Sequence, residues 1–279
     1  MSQLNSAIEL LGRASLGHQR WRAKVEAKGR EIMRLKNKTA IVTGAGSGFG
    51  EGIAKRFAAE GARVLVADID GDAAARVAGD IEGGEACTVD VSDGDQVKAM
   101  VAAAENAFGG LNILVNNAGI AQRRGPMLEV AEAVFDRIYA VNVKSIYWGA
   151  IHAVPLLRGQ PGGVIINIAS TGAVSPRAGL TWYNGSKGAV TTLTKSMAAE
   201  LAPEKIRVNA VNPVIGETGL TEAFMGGDTP DLREKIVSTI PLGRMSTPTD
   251  VANAVLYLAS DEAALLTGVC LEVDGGRCI

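Results

Sequence analysis

The stretch that decides the fold is TAIVTGAGSGFGEGIAKRFAAEG, residues 39–61. Its opening TAIV (39–42) is apolar, β-branched and too short for a helix, so it reads as a strand. EGIAKRFAAEG, at the other end, has helical spacing of its apolar residues. Between them TGAGSGFG (43–50) crowds glycines into the turn. A glycine-rich turn that feeds a helix exposes backbone N–H groups at the helix N-terminus, and these attract a pyrophosphate without any lysine. Gly44 permits the tight turn, Gly48 allows close approach of the phosphate, and Gly50 lets helix and strand pack. A glycine triplet alone is often only a turn; its place after a strand and before a helix points to a nucleotide. The missing G-K-[ST] ending argues against a P-loop NTPase.

Outward from this unit the same rhythm continues. Short apolar runs recur at RVLVA (63–67), ACTV (86–89), NILV (112–115), VIINI (164–168), RVNAV (207–211) and VCLEV (269–273). Their Val and Ile content predicts strands buried on both faces. Amphipathic helical stretches such as DQVKAMVAAAENAF and TDVANAVLYLAS alternate with them. Such alternation predicts an α/β domain with a parallel sheet and helices on both sides. The rhythm breaks at residues 216–245, where glycines, prolines and two weakly helical pieces predict a mobile substrate flap over the sheet's carboxyl edge. No second core and no internal repeat are expected. Residues 1–33 stand apart: Leu4, Ile8 and Leu11 share a helical stripe, followed by a basic, polar stretch. We read them as an accessory or artefactual N-terminal extension, with the catalytic domain spanning 34–279. Glu26 and Glu31 count against a transit peptide, and no long apolar run supports a secretory signal.

Composition narrows the classes. A chain of 279 residues, 47% hydrophobic, can bury a substantial core. Its 28 basic and 30 acidic residues leave a net charge of −2, which gives no electrostatic reason to expect nucleic acid or an acidic membrane. Cys87, Cys270 and Cys278 are odd in number and lack metal-ligand spacing, so they read as reduced thiols of a cytoplasmic protein. His18 and His152 are the only histidines, which poorly supplies a zinc site or a Ser/His triad; no metal is expected. No apolar run of about 18 residues suggests a membrane span.

Two further features carry chemistry. Asp68 ends the second strand eighteen residues past Gly50. An acid there accepts hydrogen bonds from adenosine ribose hydroxyls and repels a 2′-phosphate. The alternative, a helix N-cap, fits Asp70 better. No arginine follows directly, although Arg63 begins the same strand, so NAD is expected over NADP. TWYNGSKGAV (181–190) places Tyr183 and Lys187 four apart on one helical face, with Gly185 weakening the turn between them. Such a pair is common on helices and alone does not establish chemistry.

Taken together, roughly residues 36–279 resemble the short-chain dehydrogenase/reductase family. TGAGSGFG fits its glycine turn, Asp90-Val91 its adenine-contacting pair, and NNAG (116–119) its strand-4 motif. Asn142, Ser170, Tyr183 and Lys187 fall in the family's order, and IRVNAVNP, PLGR and VDGG complete the pattern. The resemblance implies a single Rossmann-type domain, doubly wound around a seven-stranded parallel sheet, binding NAD and commonly forming a homotetramer. It implies cofactor contacts from Gly44, Ser47, Gly48, Phe49, Gly50, Asp68, Ile69, Asp90, Val91, Asn117, Ala118, Gly119, Tyr183, Lys187, Pro213, Ile215 and Thr218. Its catalytic set would be Asn142, Ser170, Tyr183 and Lys187.

Hydride transfer between nicotinamide and an alcohol needs a base for the hydroxyl proton. A tyrosine of pKa about 10 is a poor base near neutrality. A neighbouring ammonium and a nicotinamide cation would draw that value down. Lys187 is placed to act so and, by the resemblance, also holds the nicotinamide ribose. Ser170 would hydrogen-bond the substrate oxygen, and Asn142, on the long helix after strand 4, would position a water that carries the proton outward. Gly185 would give the cofactor clearance. Each residue also has a plain structural reading: Ser170 as a turn starter, Asn142 as a helical amide, Asn116 and Asn117 as turn formers. Arg123, Arg124 and Arg177 lie on loops near the substrate edge, either meeting an anionic group or simply solvated. Trp182 lines the pocket or packs in an interface. Two departures stand out: NPVIGET (212–218) has Val214 where the family often has glycine and Gly216 where it has an apolar residue, and Phe49 replaces a small aliphatic.

The resulting expectation is an NAD-dependent oxidoreductase acting on a small alcohol, sugar or carbonyl compound. It would interconvert a secondary alcohol and ketone, or a sugar hemiacetal and lactone, with sugar or polyol oxidation favoured. A 3-oxoacyl thioester reductase is the alternative within the class. A non-catalytic NAD-binding regulator is the alternative outside it, and it has no need of the Ser170/Tyr183/Lys187 set.

Overall fold

A computed structural model describes residues 33–160 and 162–279. The extension expected over 1–33 lies, but for its last residue, outside the described residues. Leu35–Ile279 forms one compact unit. The strands are β1 (Thr39–Thr43), β2 (Arg63–Asp68), β3 (Gly84–Thr88), β4 (Ile113–Asn116), β5 (Val164–Ile168), β6 (Arg207–Pro213) and β7 (Cys270–Val273). The main helices are α1 (Gly48–Ala59), α2 (Gly71–Gly79), α3 (Gly94–Phe108), α4 (Glu132–Tyr139), α5 (Ser145–Arg158) and α6 (Thr181–Leu201). Short α7 (Thr221–Met225) and α8 (Pro230–Val237) precede α9 (Pro248–Ala259).

All seven strands are parallel, in the order β3-β2-β1-β4-β5-β6-β7. The chain winds outward from β1 through β2 to β3, then returns to β1's other side with β4. The crevice at the carboxyl ends of β1 and β4 is therefore the topological switch point, where ligands of such sheets bind. Successive strand residues face opposite layers, as a period of two demands. Ala40, Val42, Val64, Val66, Ile113 and Val115 pack with Ile53 and Phe57 of α1 and with α9. Ile41, Leu65, Leu114 and Ile165 pack on the opposite face with α3 and α5.

The central strands are buried on both faces as expected, but β3 is not: Glu85, Ala86 and Thr88 are exposed. An edge strand paired only with β2 has one flank open. Helix starts follow local chemistry. Asp70 caps α2 by accepting from the amides of Asp72 and Ala73, at 3.1 and 3.0 Å. Thr247 and Asp250 form a reciprocal capping box at α9.

The segment 216–245 contains the two helical pieces α7 and α8. Val214, Met225, Ile236, Ile240 and Met245 are buried together as a small separate cluster. Each such side chain contributes about 1.5–3 kcal/mol when fully buried, so the flap has an apolar centre that the pattern of glycines and prolines concealed. The three cysteines form no disulfide. Among the described residues no helix is long and apolar enough to cross a membrane.

Candidate active site

The glycine turn is held from behind. Gly44 and Gly48 take φ of +61° and +56°, the left-handed region that favours glycine. A Cβ at Gly44 would stand 2.8 Å from the Cα of Ala118. Asn117 donates its side-chain amide to the carbonyls of Thr43 and Gly44, at 2.8 and 3.0 Å. The hydroxyl of Thr43 accepts from the amides of Asn117 and Ala118, at 3.0 and 3.1 Å. These bonds tie the ends of β1 and β4 together, so Asn117 braces the turn while also facing the crevice. Asn116 is no turn former either: it lies in β4 and donates to Asn167 across the sheet at 2.8 Å. Ser47 occupies the N-cap position of α1 but its hydroxyl caps nothing.

A cavity of about 410 Å³ runs along this crevice. It begins at Asp68, Ile69, Asp90 and Val91, passes Gly44, Ser47, Gly48, Phe49, Asn117, Ala118 and Gly119, and reaches Ser170, Tyr183 and Lys187. Pro213, Ile215 and Thr218 form its other wall. Two predicted site residues do not line it. Gly50 sits behind the turn, where an added Cβ would come within 2.0 Å of the Gly44 carbonyl, so packing requires a glycine here. Asn142 is the second.

Asn142 was expected within a regular helix, yet it sits in the wider π-helical turn Ala140–Lys144 between α4 and α5. Such turns re-aim side chains. Its amide donates to the Ile120 carbonyl at 2.9 Å and to the Ser186 hydroxyl at 3.0 Å, while its oxygen accepts from the Ile120 amide at 2.9 Å. The side chain thus stitches the loop after β4 to α6. A Cβ at Gly119 would sit 3.3 Å from the Lys187 ammonium nitrogen and 3.4 Å from the Asn142 oxygen, so the two groups flank one glycine.

The tyrosine and lysine are both on α6 and almost inaccessible, at 7% and 4% exposure. Lys187 donates to the Ile168 carbonyl at 2.7 Å. Its nitrogen lies 5.9 Å from the centroid of the Tyr183 ring. The Tyr183 amide donates to the Oε1 of buried Gln122 at 2.9 Å, which ties the start of α6 to the loop after β4. Gln122 had no signal in the sequence, being sixty-one residues away. Ser170 follows β5 and accepts from the Gly172 amide at 3.0 Å, so it does start a turn while also lining the cavity.

Burial pushes the Tyr183 phenol up to about 12, with hydrogen bonding to Ser170 acting in the opposite sense. Burial likewise pulls Lys187 down to about 8. The lowered phenol expected from its neighbour is therefore not a property of the protein alone. The ammonium approaches the ring and the Ile168 carbonyl, while burial is the larger influence on the phenol and the Ser170 hydrogen bond the smaller.

Asp68 has a second use. One carboxylate oxygen accepts from the Gly46 amide at 2.8 Å and the other from Asp70 at 3.0 Å. It thereby locks the turn to the end of β2. Arg63 points elsewhere, donating to the Ala107 carbonyl at 2.5 Å with its guanidinium 4.5 Å from the centre of the Phe108 ring. Arg137, which the sequence did not single out, lines the cavity and pairs with Asp90 at 3.0 Å. Gly185 clears the Tyr139 hydroxyl, 3.0 Å from where its Cβ would be. Trp182 packs edge-on against Phe135 and donates to the Met127 carbonyl at 3.2 Å, apart from the cavity lining.

Known proteins resemble this chain in sequence and fold. A family model described as enoyl-(acyl carrier protein) reductase matches residues 44–277. The 4-formylbenzenesulfonate dehydrogenase of Comamonas testosteroni is 52% identical over 254 residues, covering 88% of this chain and all of the relative. The chain belongs to the short-chain dehydrogenase/reductase family. The 3-oxoacyl-[acyl-carrier-protein] reductase of Thermotoga maritima is 37% identical, covering 88% of this chain and all of that one. The crystal structure of a Brucella melitensis 3-ketoacyl-(acyl-carrier-protein) reductase complexed with NADH is 47% identical, with a TM-score of 0.83 over 88% of this chain and all of that one.

The two departures of this short-chain dehydrogenase/reductase from its family's pattern explain each other. A Cβ at Gly216 would lie 2.3 Å from the Cζ of Phe49. The glycine therefore makes room for the aromatic ring of the phosphate turn. Val214 is buried at 3% exposure and belongs to the flap's apolar cluster. Its amide donates to the Val273 carbonyl at 3.1 Å. The backbone path that the sequence left open thus continues alongside β7 before the Gly216 turn.

Proposed function

We propose that this chain transfers hydride between NAD and a carbon bearing a hydroxyl group, with Tyr183 as the base. One observation carries the reading: Ser170, Tyr183 and Lys187 line the same cleft as the glycine turn and Asp68. The residues fit the dinucleotide. Gly44 and Gly48 adopt backbone shapes that leave the turn bare, the Ser47 hydroxyl has no cap to make, and Asp68 closes the far end. When bound, NAD supplies the hydride acceptor and the positive charge of its oxidised ring.

On this reading Tyr183 takes the hydroxyl proton as the carbon is oxidised. Ser170 donates to the substrate oxygen, and its proximity to the phenol keeps base and substrate oxygen together. Lys187, held by the Ile168 carbonyl, is a cation in a dry site, where its field is stronger than in water. Asn142 fixes the Ile120 loop against α6 and so positions this set. Asp68, already bonded to Gly46, presents a negative charge where a 2′-phosphate would have to sit, which favours NAD over NADP.

Leu180, Phe224 and Ile215 give the cavity an apolar wall, and the Phe224 ring centre is 5.0 Å from that of Tyr183. This favours an apolar alcohol over a polyol. A second reading follows from the 52% identical relative, whose name specifies a formyl substrate. A hydrated aldehyde carries C–H and O–H on one carbon, so the same base and hydride acceptor convert it to a carboxylic acid with one proton released. The exposed Tyr147 and Ile151, one turn apart on α5, support assembly with further copies as a homotetramer. The free cysteines support a cytoplasmic location.

Steady-state assays with NAD and NADP against benzylic alcohols, aromatic aldehydes, polyols and 3-oxoacyl thioesters test the proposal. Turnover of an alcohol or hydrated aldehyde, at least tenfold better with NAD, is expected. NADH binding with no turnover of any of them would favour a regulator instead.

A further inference from the structure

Six guanidinium groups among the described residues are neutralised by ion pairs. Arg56, Arg76, Arg137, Arg158, Arg233 and Arg244 each pair with a carboxylate. Arg207 directs its donors to the carbonyls of Leu258, Ser260 and Leu266. Arg124, Arg177 and Arg277 differ. They come from three separate segments, gather beside the cavity, and among the described residues make no ion pair. The Asp274 carboxylate, three residues before Arg277, turns instead to the amides of Gly276 and Cys278, at 2.9 and 2.7 Å.

Arg177 is half-buried in the cavity wall. Its guanidinium makes one hydrogen bond among the described residues, to the Thr239 hydroxyl at 3.2 Å, of the five donors it carries. Arg277 donates to the Ser175 hydroxyl at 2.9 Å, and its Nε is buried with no partner among the described residues. Ser175 also lines the cavity, and a hydroxyl that accepts one bond keeps its own O–H to donate. Burial and the charges of Arg277 and Arg124 all disfavour the positive charge on Arg177. A cation held partly out of water among like charges is uncompensated until an anion joins it. Ser170 and Tyr183 line the same cavity, as do the apolar Leu180 and Phe224.

We propose that Arg177, with Arg277 acting through Ser175, holds a terminal carboxylate or sulfonate of the substrate while its apolar body carries the reacting carbon to Ser170 and Tyr183. The inference rests on the oxidoreductase reading above and names its substrate class. Bidentate recognition of such oxyanions suits a planar guanidinium.

The test measures kcat/KM with NAD for benzyl alcohol, 4-(hydroxymethyl)benzoate and 4-(hydroxymethyl)benzenesulfonate, and expresses each anion's value as a ratio to the neutral alcohol. The wild-type ratio is expected to reach roughly 30–100 for at least one anion, the two arms separating carboxylate from sulfonate. Arg177→Met lowers that ratio at least tenfold, and Arg177→Lys, with its charge kept, by less. A wild-type ratio near one, or a ratio unmoved by Arg177→Met in protein with a normal unfolding midpoint, overturns the proposal. If Arg177→Met does not fold, the wild-type ratio and Arg177→Lys decide. Binding of benzoate and benzenesulfonate to the NADH-loaded protein is followed in parallel. Anion binding that depends on Arg177 without any alcohol turnover keeps the anion site and removes the oxidoreductase reading. Turnover without anion preference does the reverse.

Discussion

Replacing Lys187 by methionine should make the cofactor-free protein more stable at neutral pH, and the gain should fade as pH rises. Lys187 is 4% exposed and its pKa is pulled from 10.5 to about 8 by burial. That gap corresponds to about 3 kcal/mol disfavouring the charged form in the folded state. The unfolded chain binds this proton more tightly than the folded one between about pH 8 and 10.5. The cost is therefore full below pH 8, declines across that window, and is gone above it. Methionine keeps most of the apolar stem but loses the 2.7 Å bond to the Ile168 carbonyl, a loss of about 1 kcal/mol. The net gain is about 2 kcal/mol at pH 7, or roughly 4–8 °C in Tm for a domain of this size. Thermal and urea unfolding of both proteins from pH 6 to 10.5 measures it. Tyr183 contributes stability below pH 10 that is lost between 10 and about 12; both proteins share this, so it cancels in the difference. A variant less stable at every pH, or a difference independent of pH, would refute the reasoning.

Three other substitutions have defined outcomes. Asp68→Ala removes the acceptor of the Gly46 and Asp70 amides along with the charge; the NAD-over-NADP ratio of kcat/KM should fall at least tenfold, and an unchanged ratio would place discrimination elsewhere. Gly216→Ala drives a Cβ into Phe49 and should destabilise by about 1–3 kcal/mol. Adding Phe49→Ala should relieve much of that loss in a double-mutant cycle, whereas strict additivity would separate the two sites. Gln122→Leu leaves the Tyr183 amide without its buried acceptor; kcat should drop about tenfold with little change in the KM for NAD, and a rise in KM at constant kcat would contradict the positioning role.

The strands from β1 to β7 were legible because an alternating α/β chain writes its parallel strands as short Val/Ile runs. The glycine turn, Asp68 and Ser170 were legible because they sit at strand ends, and Tyr183 and Lys187 because their spacing of four puts them on one face of α6. What the sequence hid depends on long-range contacts. Gln122 reaches Tyr183, and Arg137 reaches Asp90, only after the loop and helix that follow β4 close over the crevice. The π-helical turn that re-aims Asn142 leaves no mark on the 3.6-residue period in so short a segment. Gly185 and Gly216 were visible as glycines, but the groups they make room for, Tyr139 and Phe49, are distant in the chain. Burial, which raises the Tyr183 phenol where a neighbouring charge was expected to lower it, is a property of the packed site.

The claim on which the account turns is that the Tyr183 oxygen receives the substrate's proton. The most direct measurement pairs NADH binding with single-turnover oxidation in Tyr183→Phe, which keeps the ring and removes only the oxygen. NADH affinity within about threefold of wild type, with oxidation slowed at least 10³-fold, is predicted for loss of an acid–base group. Single-turnover oxidation at close to the wild-type rate in that variant would show that another group takes the proton.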